Sequence, residues 1–234
     1  MSLSDELQRE VKAIFKSKWE TREGRVVPSP EDLKMSNEAV HLERATVLYA
    51  DLSDSTDMVD QQPWWLAAEV YRAYLYCCSR LIRAEGGTIT SYDGDRVMGI
   101  FVGDKQTTTA ARCALKINYA VKQIINPLFK DEYKDRSVTV RQVVGIDTSE
   151  IHAARAGVRG DNDIVWVGRA ANYAAKLTSE SADYPTWITE QGFNRLADEA
   201  KYGGANKELM WKKWSWTKMG GITIYSSTWW WKVN

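Results

Sequence analysis

The chain has 234 residues, enough for one domain with a sizeable core or two small ones, and sets 31 Lys and Arg against 31 Asp and Glu. Zero formal net charge gives no global basic field for nucleic acid. No run of 18 apolar residues suits a membrane span, the opening MSLSDELQREVKAIFKSKWE is too charged for a signal peptide, and three cysteines, Cys77 and Cys78 adjacent, do not make a disulfide or zinc framework. The expectation is a soluble, cytosolic protein.

In chain order, residues 1–44 read as a charged helical lead-in with VPSPEDL as a turn-rich connector, and residues 45–234 as the main domain. TVLYADL, from Thr46, has the β-branched and aromatic content of a mostly buried strand. Pro63 to Ala84 places Leu66, Val70, Tyr74, Cys77 and Leu81 at helical spacing, and Gly86-Gly87 stops it. TITSY and RVMGIFV flank Asp93-Gly94, a hairpin signal. Cys113, Ile117, Val121 and Ile124 mark a second helix that should close before Pro127. SVTVRQVVGID and SEIHAARAGV read as a further strand pair. The order strand–helix–strand–strand–helix–strand predicts an α+β, ferredoxin-like sheet with helices on one face. Six of the 11 tryptophans lie between Trp211 and Trp231. Trp214 and Trp216 alternate with polar residues, as does ITIYSST, so two strands joined near Gly220-Gly221 are expected. Their aromatics would pack on the main sheet or form a partner surface.

Three segments carry chemistry. Asp51 ends the first strong strand, and Ser53 and Asp54 after it suit helix N-caps, where backbone N–H groups can cradle phosphate. Asp95 follows the Asp93-Gly94 turn. Each alone is equally an ordinary capped turn. Together, two strand-end carboxylates separated by one crossover helix can hold divalent metal against a triphosphate. In DIVWVGRAANYAAKL (163–177) a strand ends at Gly168 and a helix begins. Asn172 and Lys176, four apart, share one face, which is either simply solvated or placed to bind ribose and phosphate oxygens.

These segments resemble the class III nucleotidyl cyclases. YADLSDST and SYDGD match, in order and spacing, the family's two metal-aspartate motifs, which makes Asp51 and Asp95 the metal ligands by resemblance. The family uses two divalent ions, Mn2+ or Mg2+. GRAANYAAKL resembles its G-x-x-V-N-x-A-x-R-L, so Asn172 falls on the ribose-orienting asparagine and Lys176 where an arginine usually stabilises the transition state. The resemblance implies a homodimer with two composite sites, the aspartates from one copy and the Asn/Lys helix from the other. The Leu52 carbonyl is a candidate further ligand, the backbone N–H groups of Ser53, Asp54, Ser55 and Thr56 are candidate phosphate donors, and Lys218, in TKMGG, which resembles the family's late K-G loop, would reach the terminal phosphates from the partner subunit.

Three departures matter. The purine-reading lysine and its partner fall on Ser91 and Val165, and Lys176 keeps the arginine's charge but not its planar fork. Within the family the chain looks most like the pyrimidine cyclases of the bacterial Pycsar anti-phage systems, sharing VPSPEDL, VLYADLSDST and SSTWWWKV. The resemblance implies conversion of UTP to cyclic UMP, a second messenger for a separate effector. Alternatives are cyclic CMP synthesis or a catalytically silent nucleotide-binding domain. Tyr49 and Arg96, each near a metal aspartate, could bound a small base pocket, or be a core aromatic and a solvent-facing hairpin residue. A polymerase-like palm would need a Gly-Gly-acid-acid hairpin, which SYDGDRV lacks.

Overall fold

The computed structural model describes residues 1–233. Helix α1 (Leu3–Lys16) opens on a Ser2/Asp5 capping box. Strand β1 (Glu20–Glu23) then pairs in parallel with the start of β2 (Glu38–Ser53). The strand expected from Thr46 is the C-terminal half of β2, and the boundary expected between residues 44 and 45 falls inside it. Exposed Glu43 and Arg44 sit at a bulge, where the register against the neighbouring strand shifts between Leu42 and Ala45. A bulge lets a charged pair leave a buried strand without ending it.

Helix α2 (Ser55–Gln61) is short, and α3 (Trp64–Ala84) buries Leu66, Val70, Tyr74, Cys78 and Leu81. Gly86, at φ 77°, ends it in the left-handed region that favours glycine. Strands β3 (Thr88–Asp93) and β4 (Arg96–Phe101) form the expected hairpin through Gly94. Helix α4 (Gln106–Ala120) does not close before Pro127 as expected. It passes through a π turn at Val121–Ile125 into α5 (Asn126–Glu132). The proline's missing N–H falls in the first turn of the new segment, where it costs nothing. The Asn126 amide also donates to the carbonyls of Val121 (3.0 Å) and Val140 (2.9 Å) and accepts from the Val140 N–H at 2.8 Å.

The two strands expected over 137–158 are one strand, β5 (Arg141–Val158), and the hairpin partner is β6 (Asp161–Val167). Asp147-Thr148-Ser149 reads as a turn but stays in the sheet because its polar groups are satisfied. The Thr148 hydroxyl donates to Ala45 O at 3.1 Å, and Asp147 pairs with Arg169.

Helix α6 (Arg169–Leu177) packs Ala170, Ala171 and Ala174 on the sheet face carrying Val47, Met98 and Ile100. Leu48, Ala50 and Leu52 alternate to the opposite face, with α3 and α4. Helices therefore cover both faces rather than one. The α6 contact needs glycine at 145, since a Cβ there would lie 2.1 Å from Ala174 O.

Then come β7 (Thr186–Thr189), α7 (Glu190–Asn194), α8 (Asp198–Lys201) and the two-residue pair β8 (Tyr202–Gly203) and β9 (Glu208–Leu209). Strands β10 (Lys212–Trp216) and β11 (Ile222–Ser227) form the antiparallel pair expected around Gly220-Gly221 and extend the main sheet through β7. Trp211 and Trp216 are buried, as is Trp187. The Asn118 amide holds the chain end on α4 through the carbonyls of Thr228 and Trp229. The sheet order is β10-β11-β7-β5-β2-β4-β3, and its β5-β2-β4-β3 part with crossovers α3 and α4 is the expected ferredoxin-like core. Among the described residues, no helix is long and apolar enough to cross a membrane.

Candidate active site

Strand β2 delivers Asp51 to the end of the central sheet, and the β3–β4 turn delivers Asp95 beside it. Asp51 lies across the ladder from Arg96, the residue after Asp95. Burial and the neighbouring Asp95 charge hold the Asp51 carboxyl above the usual carboxylate range, partly offset by a 3.1 Å hydrogen bond from the Thr178 hydroxyl. Asp95 Oδ2 is buried with no hydrogen-bond partner. Two adjacent carboxylates, one with an orphaned oxygen, fit a divalent cation: the ion would supply both the missing partner and the missing charge. The described residues hold no cluster of three or more His, Cys, Asp or Glu. Further ligands would therefore be backbone carbonyls such as that of Leu52, substrate oxygens or water.

Tyr49, two residues before Asp51 on the same face, is half-buried and lies under the Arg96 guanidinium, 5.4 Å from ring centroid to Cζ. Arg96 donates to Asp93 Oδ2 at 2.5 Å, while its Nε is buried without a partner. Arg96 is thus fixed over Tyr49 rather than loose in solvent. Beyond Asp51 a cavity of about 480 Å³ is lined by Leu52, Ser53, Asp54, Arg141, Thr178 and Ser179, among others. Asp54 takes the left-handed conformation (φ 60°) ahead of α2, and its side chain makes no capping bond, contrary to the expected cap. Ser55 and Thr56 begin α2.

Asn172 and Lys176 are both exposed on α6. Lys176 Nζ lies 3.5 Å from Met219 Sδ, and Lys218 Nζ reaches Ser179 O (3.1 Å) and Glu180 Oε1 (3.0 Å). Among the described residues none of these three makes a hydrogen bond or ion pair with Asp51 or Asp95. Ser91 lies on β3 and Val165, exposed, on β6.

Sequence reasoning missed the groups that fix α6. Arg169 donates to both oxygens of buried Asp147 (3.0 and 3.2 Å) and to Thr148 O (2.6 Å), with the Thr189 hydroxyl also on Asp147. Thr178, just past the last helical residue, ties the other end to Asp51. An arginine directly after the helix-opening Gly168 was the available signal for the first; nothing in the sequence marked Thr178 or Arg141.

No family model matches the chain. It is 53% identical to a uridylate cyclase from Burkholderia cepacia and 49% identical to one from Xanthomonas perforans, over the full length of both chains in each case. A uridylate cyclase from Rhodovulum sp. is 37% identical over 98% of each chain. Among solved structures, a bacterial light-regulated adenylyl cyclase matches with TM-score 0.66 at 20% identity, over 81% of this chain and 53% of that one. The adenylyl cyclase CyaB from P. aeruginosa matches with TM-score 0.63 at 18% identity, over 81% and 95%. At these identities the solved structures speak for the fold alone, that of class III cyclase catalytic domains. The full-length relatives speak for more: the chain belongs to the uridylate cyclase family.

Proposed function

We propose that the protein converts UTP to 3′,5′-cyclic UMP and pyrophosphate at two sites, each shared between two copies of the chain. The observation that carries this reading is the Asp51–Asp95 pair, with its raised carboxyl and its orphaned buried oxygen. The chemistry is displacement: the ribose 3′-hydroxyl attacks the α-phosphorus and pyrophosphate leaves. Bound Mn2+ or Mg2+, two ions held by Asp51, Asp95 and the Leu52 carbonyl, would supply charge neutralisation and a more acidic hydroxyl. Backbone N–H groups of Ser53, Asp54, Ser55 and Thr56 hold phosphate oxygens.

Asn172 orients the ribose and Lys176 neutralises charge developing at phosphorus, both from the second copy. Their exposure on a helix pinned at both ends supports that role, since among the described residues neither makes a hydrogen bond or ion pair with Asp51 or Asp95 of its own chain. Lys218 contacts the terminal phosphates. Tyr49 and Arg96 bound the base pocket, with the unpartnered Arg96 Nε as a donor for uracil O4, where cytosine presents an amine. The product would serve in the cytosol as an antiviral messenger of a Pycsar system, read by a separate effector.

Incubation of the purified chain with each of the four NTPs and Mn2+, read by mass spectrometry, tests this. Cyclic UMP in excess over the other three products is expected. Mainly cyclic CMP would transfer the assignment to cytidylate cyclase, and no product would leave a silent nucleotide-binding domain.

A further inference from the structure

Beside Arg96 stands a carboxylate that stability does not explain. Asp93 ends β3 and faces Arg96 across the ladder, with Gly94 and Asp95 as the turn between them. Its Oδ2 accepts the 2.5 Å hydrogen bond from Arg96 Nη2, and among the described residues its Oδ1 accepts none. The Asp93 side chain is 74% exposed, so it fills no core space, and an ion pair at such a surface contributes little to the fold. Its charge also works against the site. It adds to the burial and the Asp95 charge that hold the Asp51 carboxyl up, and it would repel a triphosphate. A neutral side chain would avoid both effects.

Three groups converge at this point. The Arg96 guanidinium lies over the Tyr49 ring, and its Nε is buried without a partner. Burial raises the pKa of the Tyr49 phenol, the Arg96 charge lowers it and the Asp93 charge raises it, as expected for two opposite charges beside one ring. Tyr49, Arg96 and Asp93 thus offer a flat apolar face, a free N–H donor and a free carboxylate oxygen together. Arg96 cannot accept and an ionised Asp93 cannot donate, so the pair is one fixed donor beside one fixed acceptor.

Uracil carries the complement on adjacent ring positions: O4 accepts and N3–H donates. Cytosine carries the reverse, an amine that donates at C4 and an N3 that accepts. We infer that Asp93 is a specificity-determining residue that accepts the uracil N3–H while Arg96 donates to uracil O4. The assignment rests on the base-pocket reading above and extends it from one contact to two. Against cytosine both contacts fail at once, donor against donor and oxygen against lone pair. Adenine, with its N6 amine and N1 acceptor, fails in the same way. Guanine presents O6 and N1–H, the uracil pattern, so its exclusion falls to size, with Tyr49 as the wall.

The test separates binding from turnover. The ligands are 3′-deoxy-UTP and 3′-deoxy-CTP, which lack the attacking hydroxyl, and calorimetry on the full chain with Mn2+ gives their affinities. The native chain should bind the uracil analogue more tightly. Asp93→Asn keeps the size and still accepts from Arg96 through its carbonyl, but sets an NH2 donor where the free oxygen stood. That donor suits cytosine N3 and opposes uracil N3–H. The ratio of uracil to cytosine affinity should therefore fall at least about fivefold, with the cytosine analogue binding more tightly than to the native chain. A defect in folding cannot produce that gain.

A smaller fall in the ratio, whether both analogues weaken alike or neither changes, would overturn the inference and leave Asp93 only a support for Arg96. A native chain without preference for the uracil analogue would overturn it as well. If the native chain and the variant bind as expected but UTP yields no cyclic UMP, the cyclase reading fails and the base-reading pair stands.

Discussion

Asp95 stands close enough to Asp51 for its charge to oppose ionisation there, and among the described residues nothing hydrogen-bonds the buried Asp95 oxygen. Asp51→Ala and Asp95→Ala should each abolish cyclic nucleotide formation, and the double variant should be no worse than either single, because the two act as one unit. The sign of the stability effect is opposite. A carboxyl whose folded pKa is raised costs stability once ionised, so the metal-free native protein loses stability as pH rises through that raised value. Asp51→Asn should be free of that loss and melt no lower than native at neutral pH, although inactive. A lower melting temperature would mean that Asp51 serves packing instead. Beside it, Arg96→Ala should lower the UTP-to-CTP ratio of kcat/KM more than it weakens Mn2+ binding. An unchanged ratio would remove Arg96 from base selection.

Among the elements, those that repeat a simple pattern were legible in the sequence: α3 from its apolar spacing, the β3–β4 hairpin from Asp93-Gly94, and the β10–β11 pair from alternating tryptophans. What was hidden depended on partners distant in the chain. Polar Asp147-Thr148-Ser149 looks like a turn until Arg169, 22 residues on, neutralises it inside the sheet. Likewise Glu43 and Arg44 look like a boundary because a bulge has no sequence mark. The helix carrying Asn172 and Lys176 was legible, but not its place on the far face, which depends on Gly145 leaving room for its backbone. Pro127 suggested a helix end, and the Asn126 side chain explains why the helix continues. Asn126→Ala strips three hydrogen bonds from a part-buried site and should lower unfolding free energy by about 1–3 kcal/mol. Urea denaturation checks this, and a change below the error of the fit would show the π turn holds without it.

At the scale of the whole molecule, the proposed reading divides each chain into two half-sites. Asp51 and Asp95 gather at one end of the central sheet, while Asn172 and Lys176 face outward from α6 without touching them. Thr178, at the end of that helix, hydrogen-bonds Asp51, so under the proposed shared site each chain would link its contribution to one site with its contribution to the other. The proposed reaction therefore requires two copies, and mixing two inactive variants tests this most directly. Asp51→Ala and Lys176→Ala, each silent alone, should form heterodimers with one intact site after subunit exchange. At equal amounts they should recover about a quarter of native cyclic UMP formation from UTP, since half the dimers are mixed and each has one working site. Failure to recover activity, with exchange confirmed by differently tagged chains, would contradict the shared site.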